Sequence, residues 1–345
     1  MWDNVLGHTQ VKSFLASYLH KQERPHALLF CGAEGLGKRK LAMEFARSLL
    51  CFRHGEKDGC ESCRLMNLEA GNLGHPDFLY IHREEDPKTH RLRDLSIDQM
   101  RELVGKSAYA PVMSSTKVCI IEDVDRMGEP AANSFLKLLE EPPKGWVFIL
   151  LATSADKLLT TILSRVVQLR FSSIEFSLVE QVLRDYKQPD EKGEVSLIPA
   201  EQIPVLARIS EGSIGLAVQY YSLNALSYRE QAYSFLEALP LQAPISYLTG
   251  RPWVDKYERT EALMFVQLLQ LLLRDILVCS LHLDIELYNC DLQAELKELS
   301  NAWKPKNIKK CLVVVNETYL ALNANVSVKV AMEAMAIKID NLSKE

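Results

Sequence analysis

The sequence predicts an α/β domain built on a parallel sheet, followed by all-α segments. Three observations carry this. Between residues 25 and 171, short apolar runs alternate with amphipathic helical patterns, as βαβ construction requires. The run Ala27-Leu28-Leu29-Phe30 passes into Cys31-Gly32-Ala33-Glu34-Gly35-Leu36-Gly37-Lys38-Arg39, then into Leu41, Phe45 and Leu49 at helical spacing, giving strand, glycine loop and helix. Beyond residue 173 the strand signals fade and the helical ones lengthen.

A chain of 345 residues exceeds the roughly 250 to 300 at which one core stops growing, so more than one domain is expected. The pattern places an α/β domain at 1–172, a small helical domain at 173–228 and a helical bundle at 229–345. Hydrophobic residues at 48% and charged residues at 25% describe a folded chain throughout. A net charge of −5 argues against a tight nucleic-acid binder acting alone, so any DNA contact is expected to be shared with partners. The N-terminus lacks a basic-then-apolar signal region, and no uninterrupted apolar run reaches about 18 residues. A cytoplasmic protein is the expectation.

In chain order, residues 10–22 put Val11, Phe14, Leu15, Tyr18 and Leu19 on one helical face. The glycine loop follows. A chain that turns this way aims backbone N–H groups and a helix N-terminus at one point, where a phosphate meets donors and a favourable dipole. Gly32 to Lys38 fits Gly-x-x-x-x-Gly-Lys, a P-loop, with Lys38 for the outer phosphates and Gly35 inside the loop. Arg39 stands where a Ser or Thr hydroxyl would hold Mg²⁺. Two readings follow: a site that binds ATP without hydrolysing it, or a βα turn with no nucleotide.

Cys51, Cys60 and Cys63 cluster on a polar excursion after that helix. In a reducing compartment three thiolates at these spacings suggest zinc before a disulfide. A structural zinc needs four ligands, and His54 or His75 are the candidates for the fourth; Met66, at the next such spacing, is a poor one. The bland alternative is a vestigial thiol cluster. The other five cysteines lie singly in mostly apolar surroundings and read as small buried thiols.

Residues 75–81 read as a strand, 82–93 as a loop and 97–106 as a helix capped at or next to Ser96. Val118 to Ile121 is a central parallel strand, and Glu122-Asp123 at its C-terminal end sit where α/β sheets place ligands. In a P-loop ATPase the first acid holds Mg²⁺ through water and the second polarises the attacking water. The usual order is Asp-Glu, and the inversion displaces each carboxylate by about one methylene, ~1.5 Å, an error that costs roughly 100-fold in rate. Residues 131–141 form a helix stopped by Pro142-Pro143. Residues 146–152 form an apolar strand ending in Thr153-Ser154, which suit a γ-phosphate sensor or the cap of the next helix. Ser164-Arg165 precedes the last strand at 166–171, and short helices follow at 179–186, 203–210 and 213–221. Residues 257–279 are apolar on nearly every side, so that helix is either buried all round or shared with a partner; 308–322 and 328–342 complete the bundle.

Taken together, these segments resemble the clamp-loader AAA+ family of the bacterial replicative polymerase, DNA polymerase III. The likeness rests on Pro25-His26-Ala27-Leu28-Leu29-Phe30, the cysteine cluster, His75-Pro76-Asp77, Ile97-Asp98-Gln99-Met100-Arg101, the run from Ala132 to Pro143, and Ser164-Arg165-Val166, and it covers nearly the whole chain. It implies a P-loop AAA+ domain, a lid domain and a C-terminal collar. It also implies partners: the tau/gamma and delta subunits, the sliding clamp, and primed DNA reached through the complex. In the family the Ser-Arg-Cys motif supplies an arginine finger to ATP on the neighbouring subunit, which gives that role to Arg165. The departures weaken ATP hydrolysis by the chain itself: Arg39, the inverted Glu122-Asp123, and Gly212-Ser213-Ile214-Gly215, where the ATP-hydrolysing tau/gamma subunit carries a sensor arginine. His8 replaces the family's adenine-side Gln, and Met66 its fourth cysteine. A self-sufficient tau/gamma-like motor needs what these positions have lost, and a zinc-dependent DNA-binding protein needs a basic groove.

Overall fold

A computed structural model describes residues 2–21, 23–52, 60–66, 73–87, 92–189 and 195–344. The contacts divide the chain into two compact units, Met1–Ile174 and Glu175–Glu345. The first runs α1 (Thr9–His20), β1 (Ala27–Cys31), α2 (Lys38–Leu50), α3 (Glu61–Leu65), β2 (Phe78–Ile81), α4 (Ile97–Ser107), β3 (Lys117–Ile121), α5 (Glu129–Glu140), β4 (Trp146–Ala152), α6 (Thr160–Leu163), β5 (Val167–Arg170). Its five strands lie in the order β2-β3-β4-β1-β5 and every pairing is parallel.

The fully apolar strands follow from burial on both faces. Along β1, Leu28 and Phe30 enter a core with Leu15, Leu41 and Phe45 of α1 and α2, while Ala27 and Leu29 enter a second core with Met100 and Phe135 of α4 and α5. β3 alternates the same way, Val118 and Ile120 to the first core, Cys119 and Ile121 to the second. The helix expected after residue 96 begins with a complete capping box: Gln99 N–H donates to Ser96 Oγ (3.2 Å), and Ser96 N–H donates to Gln99 Oε1 (3.0 Å).

The second unit contains α7 (Phe176–Asp185), β6 (Lys187–Pro189), β7 (Val195–Leu197), α8 (Ile203–Ile209), α9 (Ile214–Ser222), α10 (Ala225–Glu237), α11 (Pro244–Leu248), α12 (Pro252–Asp255), α13 (Arg259–Ser280), α14 (Gln293–Ser300), α15 (Pro305–Asn323) and α16 (Val328–Ser343). The β6–β7 antiparallel pair lies between the helices expected at 179–186 and 203–210, where the sequence carries no strand signal. The division expected at 228/229 falls inside α10.

α13 is the centre of this unit. By length and composition it is apolar enough to cross a membrane, although Gln267, Gln270, Arg274 and Asp275 interrupt its apolar run, and 67% of its most apolar window is buried inside the structure. Only Thr260 and Gln270 of its residues are exposed. Of the two alternatives, burial all round is the one realised: α10, α14 and α15 pack along it, α16 touches it, and Trp253 stacks on Phe265 at 5.0 Å and 15°. Its buried Asp275 accepts from Arg274 (2.7 Å), Asn289 N–H (2.8 Å) and Asn289 Nδ2 (2.8 Å). Exposed apolar side chains lie instead on α15 and α16, at Val313, Leu320, Val330 and Ile337.

Candidate functional site

The strand register brings the candidate residues together. Cys31 pairs with Ala152 and Ile121 with Leu150, so the segments after β1, β3 and β4 open on one edge of the sheet, the edge where parallel α/β sheets bind ligands. Gly32 is required by close approach: a Cβ there would lie 2.4 Å from the Phe171 carbonyl oxygen. Gly35 and Gly37 have φ of 73° and 84°, the left-handed turn that delivers the chain into α2. Lys38 Nζ donates to the carbonyls of Gly32 and, at 2.6 Å, Ala33, and burial pulls its pKa below the usual lysine range. His8 pins the loop from outside. Its Nε2 pairs with the Leu36 carbonyl at 2.8 Å, its ring packs on Phe171 at 4.6 Å, and burial lowers its pKa.

Arg39 is not a passive replacement. Its Nε donates to Glu122 Oε1 at 2.7 Å and its NH2 lies 2.6 Å from the same oxygen, while Tyr80 Oη donates to Oε2. Both oxygens of the first acid are therefore bonded, and its counter-charge is a guanidinium. Mg²⁺ does not fit this donor set. The hydroxyl ligand is gone, the carboxylate is engaged, and an ion there faces a fixed cation: unit charges 4 Å apart repel by about 4 kcal/mol at an effective dielectric of 20, and a divalent ion doubles that. Asp123 has φ 53° and lies 4.0 Å from Arg83; burial, then the Glu122 charge beside it, raises its pKa. The Glu122 charge is thus paired with Arg39, while the Asp123 carboxyl sits above its ordinary range.

Of the two readings of Thr153-Ser154, the structure shows the cap. Ser154 is the cap, its Oγ accepting from Asp156 N–H at 3.2 Å. Thr153 Oγ1 donates to Asp125 Oδ2, which ties the end of β4 to the turn after β3. Arg165 lies away from this cluster, in the turn between α6 and β5. Its NH2 pairs with Glu140 Oε1 at 2.9 Å, and its NH1 donates to the Thr161 carbonyl (2.9 Å) and Ser164 Oγ (3.2 Å). With side-chain exposures of 35% and 51%, the Arg165–Glu140 pair is a surface salt bridge of about 0 to 1 kcal/mol, readily exchanged for another anion. In the second unit Ser213 caps α9, accepting from Leu216 N–H at 3.2 Å.

The three cysteines converge. Their Sγ atoms all lie within 4.8 Å of one another, and Cys51 and Cys60 are 4.0 Å apart, near the ~3.8 Å that Zn–S bonds of about 2.3 Å require in a tetrahedron. Burial, and then the neighbouring Cys60 and Cys51, push the Cys63 thiol up. The donor set fits three of four positions. His54 lies outside the described residues. His75 is committed elsewhere: Nδ1 accepts from Asp77 N–H at 3.0 Å, and Nε2 bonds Ser62 Oγ at 2.7 Å, which in turn donates to the Leu50 carbonyl at 2.7 Å. Met66 is wholly buried in the first core.

His75-Pro76-Asp77 is therefore a structural clamp. Asp77, fully buried, accepts from the N–H groups of Val112 (2.7 Å), Met113 (2.8 Å) and Ser114 (2.8 Å) and from Ser114 Oγ (3.1 Å). Sequence reasoning did not single out Tyr80, Asp125 or Glu140 for the site. Tyr80 was the most accessible of these, because its register partner Ile120 stands two residues before Glu122 and so on the same face of the sheet.

Residues 7–175 match the family model described as DNA polymerase III, delta subunit. The chain is 33% identical to the DNA polymerase III subunit delta' of Pseudomonas aeruginosa over 237 residues, covering 68% of this chain and 67% of that one. It is 26% identical to the delta' subunit of Bacillus subtilis over 339 residues, 96% of this chain and 95% of that one. It is also 31% identical over 222 residues to the tau/gamma subunit of Haemophilus influenzae, covering 61% of this chain but 29% of that one. With the five-stranded parallel sheet and its altered P-loop, these likenesses place the chain in the DNA polymerase III delta-prime family of clamp-loader subunits.

Proposed function

We propose that this clamp-loader subunit acts as a stator, a non-hydrolysing member that supplies Arg165 in trans to ATP bound by a neighbouring tau/gamma subunit. The observation that carries the reading is the bonding of Glu122: Arg39, at the position of the missing hydroxyl, holds one oxygen and Tyr80 the other, so the first acid is engaged where a catalytic metal would need it. A tau/gamma-like motor is disfavoured for the same reason. Arg165, half-exposed and held by a weak surface pair, is available to a neighbour's phosphate, where a planar fork neutralises charge on the transferring phosphoryl group.

Partners in this reading are the tau/gamma and delta subunits, the sliding clamp and, through the complex, primed DNA, all in the cytoplasm. Residues 173–228 would serve as the lid and 229–345 as the collar, with the exposed apolar residues of α15 and α16 as the assembly face rather than α13. These two helices also line a groove of about 410 Å³ with Lys310, Val313, Val314 and Leu342. A zinc on Cys51, Cys60 and Cys63, completed by His54 or another group, would tie the excursion after α2 to that helix without entering the chemistry. The test is clamp loading on primed DNA from purified subunits. Loading should require this chain, and loading at the same rate without it would remove the proposal.

A further inference from the structure

We propose that Arg39 has taken the place of the magnesium ion, so that this P-loop holds the phosphate tail of a nucleoside triphosphate without a divalent metal. The starting point is the disagreement between the donor set and the ion. In an ordinary P-loop, Mg²⁺ bridges phosphate oxygens to the loop hydroxyl and, through water, to the acid at the end of another strand of the same sheet. Here a guanidinium stands one residue after Lys38, at the hydroxyl's position, and is already bonded to that acid.

The geometry leaves it able to bridge. Both bonds to Glu122 come from one edge, Nε at 2.7 Å and NH2 at 2.6 Å, and both reach the same oxygen. NH1 has no partner among the described residues, and the side chain is 64% exposed. Guanidinium offers five N–H donors in a plane, so one edge on a carboxylate leaves donors for a phosphate oxygen. Tyr80, bonded to the other oxygen, fixes the carboxylate and through it the guanidinium. The rest of the cradle is in place, with Gly32 and Gly37 shaping the loop and Lys38 reaching its carbonyls. What is lost is the second positive charge and the metal-bound water, so a bound tail is held and not cleaved. This concerns the chain's own loop and is independent of Arg165 acting in trans, so either can fail alone.

The experiment is calorimetric titration of the full chain with ATP, once in EDTA and once in excess Mg²⁺. Wild type should bind in both, with dissociation constants within about twofold of each other, less than 0.5 kcal/mol. Arg39→Ser, which returns the hydroxyl, should bind about tenfold more weakly in EDTA and recover when Mg²⁺ is added. Tyr80→Phe, which frees one oxygen of Glu122, should weaken binding in both conditions. Absence of binding by wild type in EDTA, or a tenfold tightening of wild type by Mg²⁺, overturns the proposal. That comparison needs no variant to fold.

Discussion

Asp77→Ala is expected to loosen the α/β unit through a loop 35 residues away in sequence. The wild-type carboxylate accepts three backbone N–H bonds of 2.7 to 2.8 Å and one hydroxyl bond of 3.1 Å, all from residues 112–114. Bonds to a charged acceptor contribute about 1.5 to 3 kcal/mol each when their loss leaves the partner dry. Val112 is exposed and Met113 and Ser114 are half-buried, so water can recover part of that. The expected cost is about 3 kcal/mol for Ala and about half that for Asn, which keeps an acceptor. Burial alone would push the carboxyl up; the bonds from Ser114, Val112 and Met113 outweigh it and hold the group below the ordinary carboxylate range. A depressed folded-state pKa contributes stability above the unfolded value of about 3.9, and that stability is lost as pH falls through the folded one. Urea unfolding between pH 7 and pH 3, with amide exchange read at Val112, Met113 and Ser114, measures both effects. Asp77→Asn should flatten the acid limb of the profile. A cost under about 1 kcal/mol for Ala, with these three amides still protected, refutes the reasoning.

Three further outcomes follow from the structure. The isolated chain should turn over ATP far below about 1 s⁻¹, and Lys38→Ala should not change the residual rate; a magnesium-dependent rate that Lys38→Ala abolishes would contradict the altered site. Protein purified without added zinc should carry one equivalent by metal analysis and lose it in Cys60→Ser, with His54→Ala losing it only if that residue is a ligand; less than about a tenth of an equivalent in wild type makes the cluster vestigial. A fragment of residues 1–174 keeps both cores of its sheet and should fold, yet fail to co-purify with the other subunits; retained assembly would move the assembly face out of the helical unit.

The sequence carried the strands and the P-loop because their signals are local: β1 and β4 are fully apolar, and Ser96 and Gln99 spell a capping box. It did not carry roles that depend on distant partners. His75-Pro76-Asp77 looks like a chemical motif, but its polar groups are spent on Ser62 and on the loop at 112–114, and only the fold shows where those groups lie. The change at Arg39 was visible as a missing hydroxyl, whereas its bond to Glu122 spans 83 residues and needs α2 packed over the end of β3. For α13 the periodicity established that all sides are apolar, and only the packing of α10, α14 and α15 showed that its own unit hides them. Thr153 likewise has its meaning from Asp125, a residue of the turn after a different strand.

The most direct test of the whole account is the clamp- and DNA-stimulated ATPase of the reconstituted complex carrying Arg165→Ala, with every ATP site disabled except the one bordering this subunit. Arginine fingers contribute about 10³ to 10⁵ in rate in phosphoryl transfer, so the variant should assemble normally and lose at least about a hundredfold at that site. Arg165→Lys should recover little, since it lacks the planar fork. Glu140→Gln, which frees the guanidinium from its surface pair, should leave the rate intact. An unchanged rate in Arg165→Ala would contradict the account and leave Arg165 as nothing more than the partner of Glu140.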